Sequence, residues 1–186
     1  MKKISRRLLT AGAISGAILV AACDNSINGN GADILDARVD SALTFLAINQ
    51  PGAQDLIENA SGILVMPLVT EAGFGIGGSF GRGALRVGDV TVDFYQAIQA
   101  SVGFQIGAQQ FAHALFFMTD EALADFRNSP GWAAGADLQY ALNSEGENIS
   151  ASTTTALSPV VAVVFGQAGL IAGATIEGTK YTRIIP

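Results

Sequence analysis

The sequence predicts an α+β domain built on a curled, barrel-like antiparallel sheet with a few short flanking helices. Three observations carry this. From Ile98 to Ala108 apolar and polar residues alternate without a break, the period-two signature of a half-buried strand. Phe74, Ile76, Gly78 and Phe80 alternate with Gly73, Gly75, Gly77 and Ser79 in the same way. One face there is largely apolar and the other almost bare, which suggests sharp curvature or a close neighbour. Helical periodicity is confined to a few short segments, and few helices among many strands imply α+β.

The chain opens with Lys2, Lys3, Arg6 and Arg7, followed by an uncharged apolar stretch from Leu8 to Ala22. This reads as a signal peptide over residues 1–22, too short for a spanning helix. Val20-Ala21-Ala22-Cys23 resembles the lipobox of bacterial lipoproteins, and Cys23 is the only cysteine. The resemblance implies a diacylglyceryl group on the Cys23 thiol, acyl chains such as palmitate, and cleavage before it. Ser5-Arg6-Arg7-Leu8-Leu9 resembles in part the twin-arginine export motif. Residues 23–31 then form the lipidated Cys and a polar tether rich in turn formers, and residues 32–186 form the domain. The expected location is the periplasmic side of a cell envelope, anchored to the inner or outer membrane.

Removing the signal changes the charge. Six cations remain (Arg38, Arg82, Arg86, Arg127, Lys180 and Arg183) against all sixteen acids, a net charge of −10. Such a body is repelled by nucleic acid and by anionic lipid surfaces, and any anionic ligand needs a local basic cluster.

Within the domain, Leu35, Val39, Ala42, Leu43 and Leu46 recur at helical spacing and predict a helix over Asp33–Asn49. Asp33, Asp36, Asp40 and Thr44 lie on its other side. Pro51 opens a second short helix to about Asn59. A third, Asp120–Arg127, has Thr119 as its cap and acids in its first turn. Val87-Gly88-Asp89-Val90 reads as a hairpin turn. Ile63–Met66, Ala112–Met118, Val160–Phe165 and Leu170–Ile176 are further strands, and Ser150–Ser158 reads as strand plus loop.

The chemical motifs are weak. Gly73 to Gly78 satisfies G-x-G-x-x-G, but no helix opens after it and no lysine follows, so nucleotide binding is not expected. His113, the only histidine, lies in an apolar β-like run and reads as packed or at a sheet edge. No catalytic pair, triad or metal set is recognisable, so no enzyme, cofactor or metal is expected. The uncharged stretch Val160–Ile176 suits two adjacent strands better than a membrane helix. A small outer-membrane barrel is a further, weaker reading, because alternating strands are its signature too.

Several separated blocks together resemble one family. They are Ser61-Gly62-Ile63-Leu64-Val65-Met66-Pro67, Glu71 to Gly78, Gly103 to Gln109, Phe116 to Leu123, and Gly169 to Lys180. In this order and spacing they resemble the SYLF domain from about Leu35 onward. The resemblance implies a non-enzymatic, lipid-binding domain. Eukaryotic relatives bind phosphoinositides and some bind actin filaments, while bacterial relatives are typically exported, often as lipoproteins. The expected partner is therefore membrane lipid, with an envelope structural or assembly role through protein partners as the alternative. Arg82, Arg86, Lys180 and Arg183 are the candidate headgroup cations, and Phe74 and Phe80 the candidate apolar contacts. Arg82 and Arg86, four apart in a β-like segment, are expected on one face; Lys180 and Arg183, three apart, on opposite faces.

Overall fold

The computed structural model describes residues 30–50, 52–135, 140–143, 158–169 and 176–186. The signal segment, Cys23, all of the tether but its last two residues, and most of the expected strand and loop at 150–158 and 170–176 lie outside them. The order is α1 (Gly31–Asn49), α2 (Ala53–Asn59), β1 (Gly62–Val87), β2 (Val90–Phe117), α3 (Asp120–Asn128), β3 (Trp132–Ala133), β4 (Tyr140–Asn143), β5 (Val160–Gly169) and β6 (Lys180–Ile184). The α+β class and the curled sheet are as the sequence predicts.

A long hairpin dominates. β1 and β2 pair antiparallel from Gly62↔Phe117 to Val87↔Val90. Gly88 holds φ at 58° at the first central turn position, and Asp89 stays out of the left-handed region, which fits a II′ turn. The expected strands at 63–66 and 73–80 are parts of one element. Pro67 is accommodated because the register slips between Met66 and Val69, and proline within a sheet is tolerated at such a bulge. β2 also pairs β6 over Phe94–Ile98 and β5 over Gln109–Phe117, and β3 pairs β6. β4 runs parallel to β5, a departure from a purely antiparallel sheet.

The hairpin curls until its halves touch. A Cβ built on Gly83 would collide with the Val65 carbonyl oxygen and the Met66 sulfur, and one on Gly81 would sit 2.7 Å from Val69 Cγ2. Glycine is needed where one part of β1 crosses another. The inner space is filled by Leu64, Met66, Leu85, Leu115, Phe117, Val160, Ala162 and Val164. The aromatic group Tyr95, Phe126, Trp132 and Tyr181 joins them, with Ala122 and Leu123 of α3. The alternate residues form a second, outer layer. There Ile63, Val65, Ala84, Ala112, Ala114, Phe116, Val161, Val163 and Phe165 meet Val39 and Leu46 of α1 and Ala53 and Leu56 of α2. The sheet is therefore buried on both faces at this end. α3 is capped as expected, with the Ala122 N–H donating to Thr119 Oγ1 at 3.2 Å.

α1 differs from its sequence reading in one respect. Helical spacing puts Asp36 and Asp40 on the side away from the apolar stripe, yet both reach the sheet. Arg86 donates to Asp40 at 2.6 Å and lies 3.7 Å from Asp36, which also accepts from Thr91 Oγ1 at 2.7 Å. The acids thus tie the helix to the hairpin end.

Candidate functional site: an apolar face turned outward

In the middle of the hairpin, between its open end and its turn, the half-burial has an unexpected sense. Directly opposed residues share a face. Phe80↔Ile98 and Ala72↔Ala108 are outward rungs, and Ser79↔Gln99 and Glu71↔Gln109 are inward rungs. Phe74 is 80% exposed, Ile76 76%, Phe80 47% and Ile98 46%, whereas Glu71, Ser79, Gln99 and Gln109 are all buried. The apolar face looks out and the polar face looks in.

The inward polar groups find partners. Gln109 Nε2 donates to Glu71 Oε2 at 2.7 Å, Gln99 Nε2 donates to the Glu177 carbonyl at 2.7 Å, and Ser79 Oγ donates to Gln99 Oε1 at 3.3 Å. Buried polar groups are tolerated when hydrogen-bonded in this way. The outward face has no such cover among the described residues.

Of the four expected headgroup cations, Arg82 and Lys180 stand clear of acids, while Arg86 and Arg183 each meet aspartates. Lys180 pairs with Ile98, which pairs with Phe80, so Phe80, Ile98 and Lys180 form one rung across three strands. Arg82 lies on the next outward rung with Gln96 and Thr182, its guanidinium 5.9 Å from the Phe80 ring centroid. Arg82 and Lys180 therefore stand beside the apolar face. Arg86 is held by α1, as described above. Arg183 lies 3.2 Å from Asp93 and donates to the Tyr95 hydroxyl and the Arg127 carbonyl, on the rung of buried Tyr95. Lys180 and Arg183 do fall on opposite faces. Cys23 lies outside the described residues. Phe74 and Phe80 are as accessible as a contact role requires. Ile76 and Ile98 belong with them, and their own alternation was the signal that could have found them.

His113 is an inner-core residue. Its Nε2 is 2.8 Å from the Tyr181 hydroxyl, and Nδ1 has no hydrogen-bond partner among the described residues. Burial pushes its pKa down from 6.5 to about 3. The unfolded chain thus takes up a proton near pH 6.5 that the folded chain takes up only near pH 3. The resulting stability is complete above pH 6.5 and is lost as pH falls through that window. Urea unfolding at a series of pH values should show this decline, and His113→Gln should flatten it. Equal slopes in the two proteins would contradict the assignment. G-x-G-x-x-G lies within β1 and opens no helix. Among the described residues no group of His, Cys, Asp and Glu could hold a metal, and no helix is long and apolar enough to cross a membrane.

Residues 98–183 match the family model Ysc84, described as Las17-binding protein actin regulator, which is consistent with the SYLF resemblance of the sequence. No curated protein matches the chain.

Proposed function

We propose that this chain is a lipid-anchored, non-catalytic protein of a bacterial cell envelope whose domain lays the outward face of β1 and β2 on a membrane. The observation that carries the proposal is the inversion itself: large apolar side chains outside, hydrogen-bonded polar side chains inside. Contiguous exposed apolar surface beside polar residues marks interaction sites. The same inversion occurs in membrane barrels, but here α1 and α2 cover the outer face at 111–117 and 160–165. The outward apolar pattern is thus limited to the middle of the hairpin, which suits contact with one leaflet rather than a spanning barrel. Arg82 and Lys180 sit where cations meet headgroups.

One observation favours a second reading. β1 pairs with β2 alone among the described strands, and a free strand edge can accept a strand from a protein partner. Flotation of the unacylated chain, residues 24–186, with phosphatidylcholine vesicles separates the two. Phe74→Ser with Ile76→Ser should weaken binding about 100-fold, since burying each such side chain contributes at least ~1.5 kcal/mol. No flotation of the parent chain, or undiminished flotation of the variant, would sink the membrane reading.

A further inference from the structure

We infer that the sheet binds a monovalent metal cation, sodium or potassium, inside its curl, between Glu71 of β1 and Gln109 of β2. The site lies on the face opposite the outward apolar stripe, so it stands whether or not that stripe meets a membrane.

Glu71 and Gln109 are directly opposed on neighbouring strands and are 7% and 3% exposed. Gln109 Nε2 donates to Glu71 Oε2 at 2.7 Å. That contact fixes the orientation of the amide, since the atom facing a carboxylate oxygen must carry the hydrogens. Gln109 Oε1 is then left without a hydrogen-bond partner among the described residues. The carboxylate is not neutralised either. The ion pairs among the described residues involve Asp36, Asp40 and Asp93, so Glu71 has the hydrogen bond from Gln109 but no countercharge. His113, four residues further along β2, does not supply one, because burial keeps it neutral down to about pH 3. A carboxylate taken out of water without a countercharge is strongly unfavourable, and an amide oxygen without a donor adds to the cost. One cation held by both side chains removes both penalties.

The neighbourhood adds oxygen rather than charge. The next rung on this face is Gly73↔Gly107, where backbone rather than side chain closes the space. A Cβ on Gly73 would lie 2.8 Å from Gly77 Cα and 3.4 Å from the Ile76 carbonyl oxygen. Irregularities in the strand ladders flank the Glu71–Gln109 rung, between Phe74 and Ile76 toward the bend and between Gln110 and Ala112 toward β5. At such places the ladder is locally disrupted and carbonyl groups are released from it. An all-oxygen set suits a hard cation. The single carboxylate selects its charge: calcium sites gather about 6–8 oxygens, several of them carboxylate, and a dipositive ion here would leave a buried charge of its own. A monovalent ion leaves the site neutral.

The test follows thermal unfolding of the full exported chain, acylated and held in neutral detergent micelles, by the emission of Trp132. Sodium, potassium, calcium and N-methylglucamine chlorides are compared at equal ionic strength. Sodium or potassium should raise the midpoint saturably, by about 5–10 °C at about 100 times its Kd. N-methylglucamine, an organic cation too large for the site, should not. Glu71→Gln keeps the shape of the side chain and removes its charge. It should abolish the rise, and in N-methylglucamine chloride it should be at least as stable as the parent, because no unpaired charge is then buried. Gln109→Met removes the amide oxygen and should lose the rise as well. The backbone amides of Glu71 and Gln109 in the parent chain should shift with the same alkali ion at the same half-saturation, a readout that needs neither variant to fold. Equal midpoints in all four salts, a rise retained by Glu71→Gln, amides of Glu71 and Gln109 that do not move, or calcium acting at lower concentration than either alkali ion would overturn the site.

Discussion

Gly83→Val should destabilise the fold by about 3 kcal/mol or more, at the upper end of what overpacking costs. A side chain at this position meets backbone, the Val65 carbonyl, as well as the Met66 sulfur. A flexible side chain can turn aside, but a carbonyl fixed by β pairing cannot. Relief requires the two parts of β1 to separate, which opens the contacts of Leu64, Met66 and Leu85 in the inner core. Urea denaturation gives the answer directly. Gly88→Ala is the control: its added Cβ meets nothing within 4 Å, so its cost is limited to the left-handed backbone. A Gly83→Val protein as stable as the parent would mean that the sheet does not curl as described.

Exchanging residues 1–23 for a cleavable secretory leader should move the protein from the membrane to the soluble periplasmic fraction. Each buried methylene of an acyl chain contributes about 0.8 kcal/mol, and two or more chains give stable anchoring where one is marginal. The outward face offers only a few side chains, each worth ~1.5–3 kcal/mol. It can orient a tethered domain but cannot replace the anchor against repeated washing. Fractionation followed by immunoblotting reads the distribution. Retention of the leader-exchanged chain on washed membranes would show that the anchor at Cys23 is not what holds it.

Much of the fold was legible in the chain. Helical spacing placed α1, Thr119 and its following acids placed α3, and Gly88-Asp89 placed the hairpin turn. Period-two alternation located the long strands. It could not say which face was inside, because a strand has two faces and alternation alone does not orient them. The ordinary assumption, apolar inward, holds for Leu64, Met66, Leu115 and Phe117 and fails for Phe80 and Ile98. Gln99 and Gln109 can lie inside only because Glu177 and Glu71 supply acceptors for them, and no local pattern announces such pairings. The cations illustrate the same limit. Spacing four apart joined Arg82 to Arg86, but Asp36 and Asp40 of α1 claim Arg86.

The most direct test of the outward face uses a single reporter. Trp132 is the only tryptophan and is 2% exposed, so its emission should not respond to lipid. Phe74→Trp adds a second indole at the exposed end of the stripe. With vesicles whose acyl chains carry bromine, the added emission should shift to the blue and be quenched, while the parent protein's emission stays constant. Added emission that remains at the wavelength of a water-exposed indole, unquenched by bromine at saturating vesicle, would contradict membrane contact through β1 and β2.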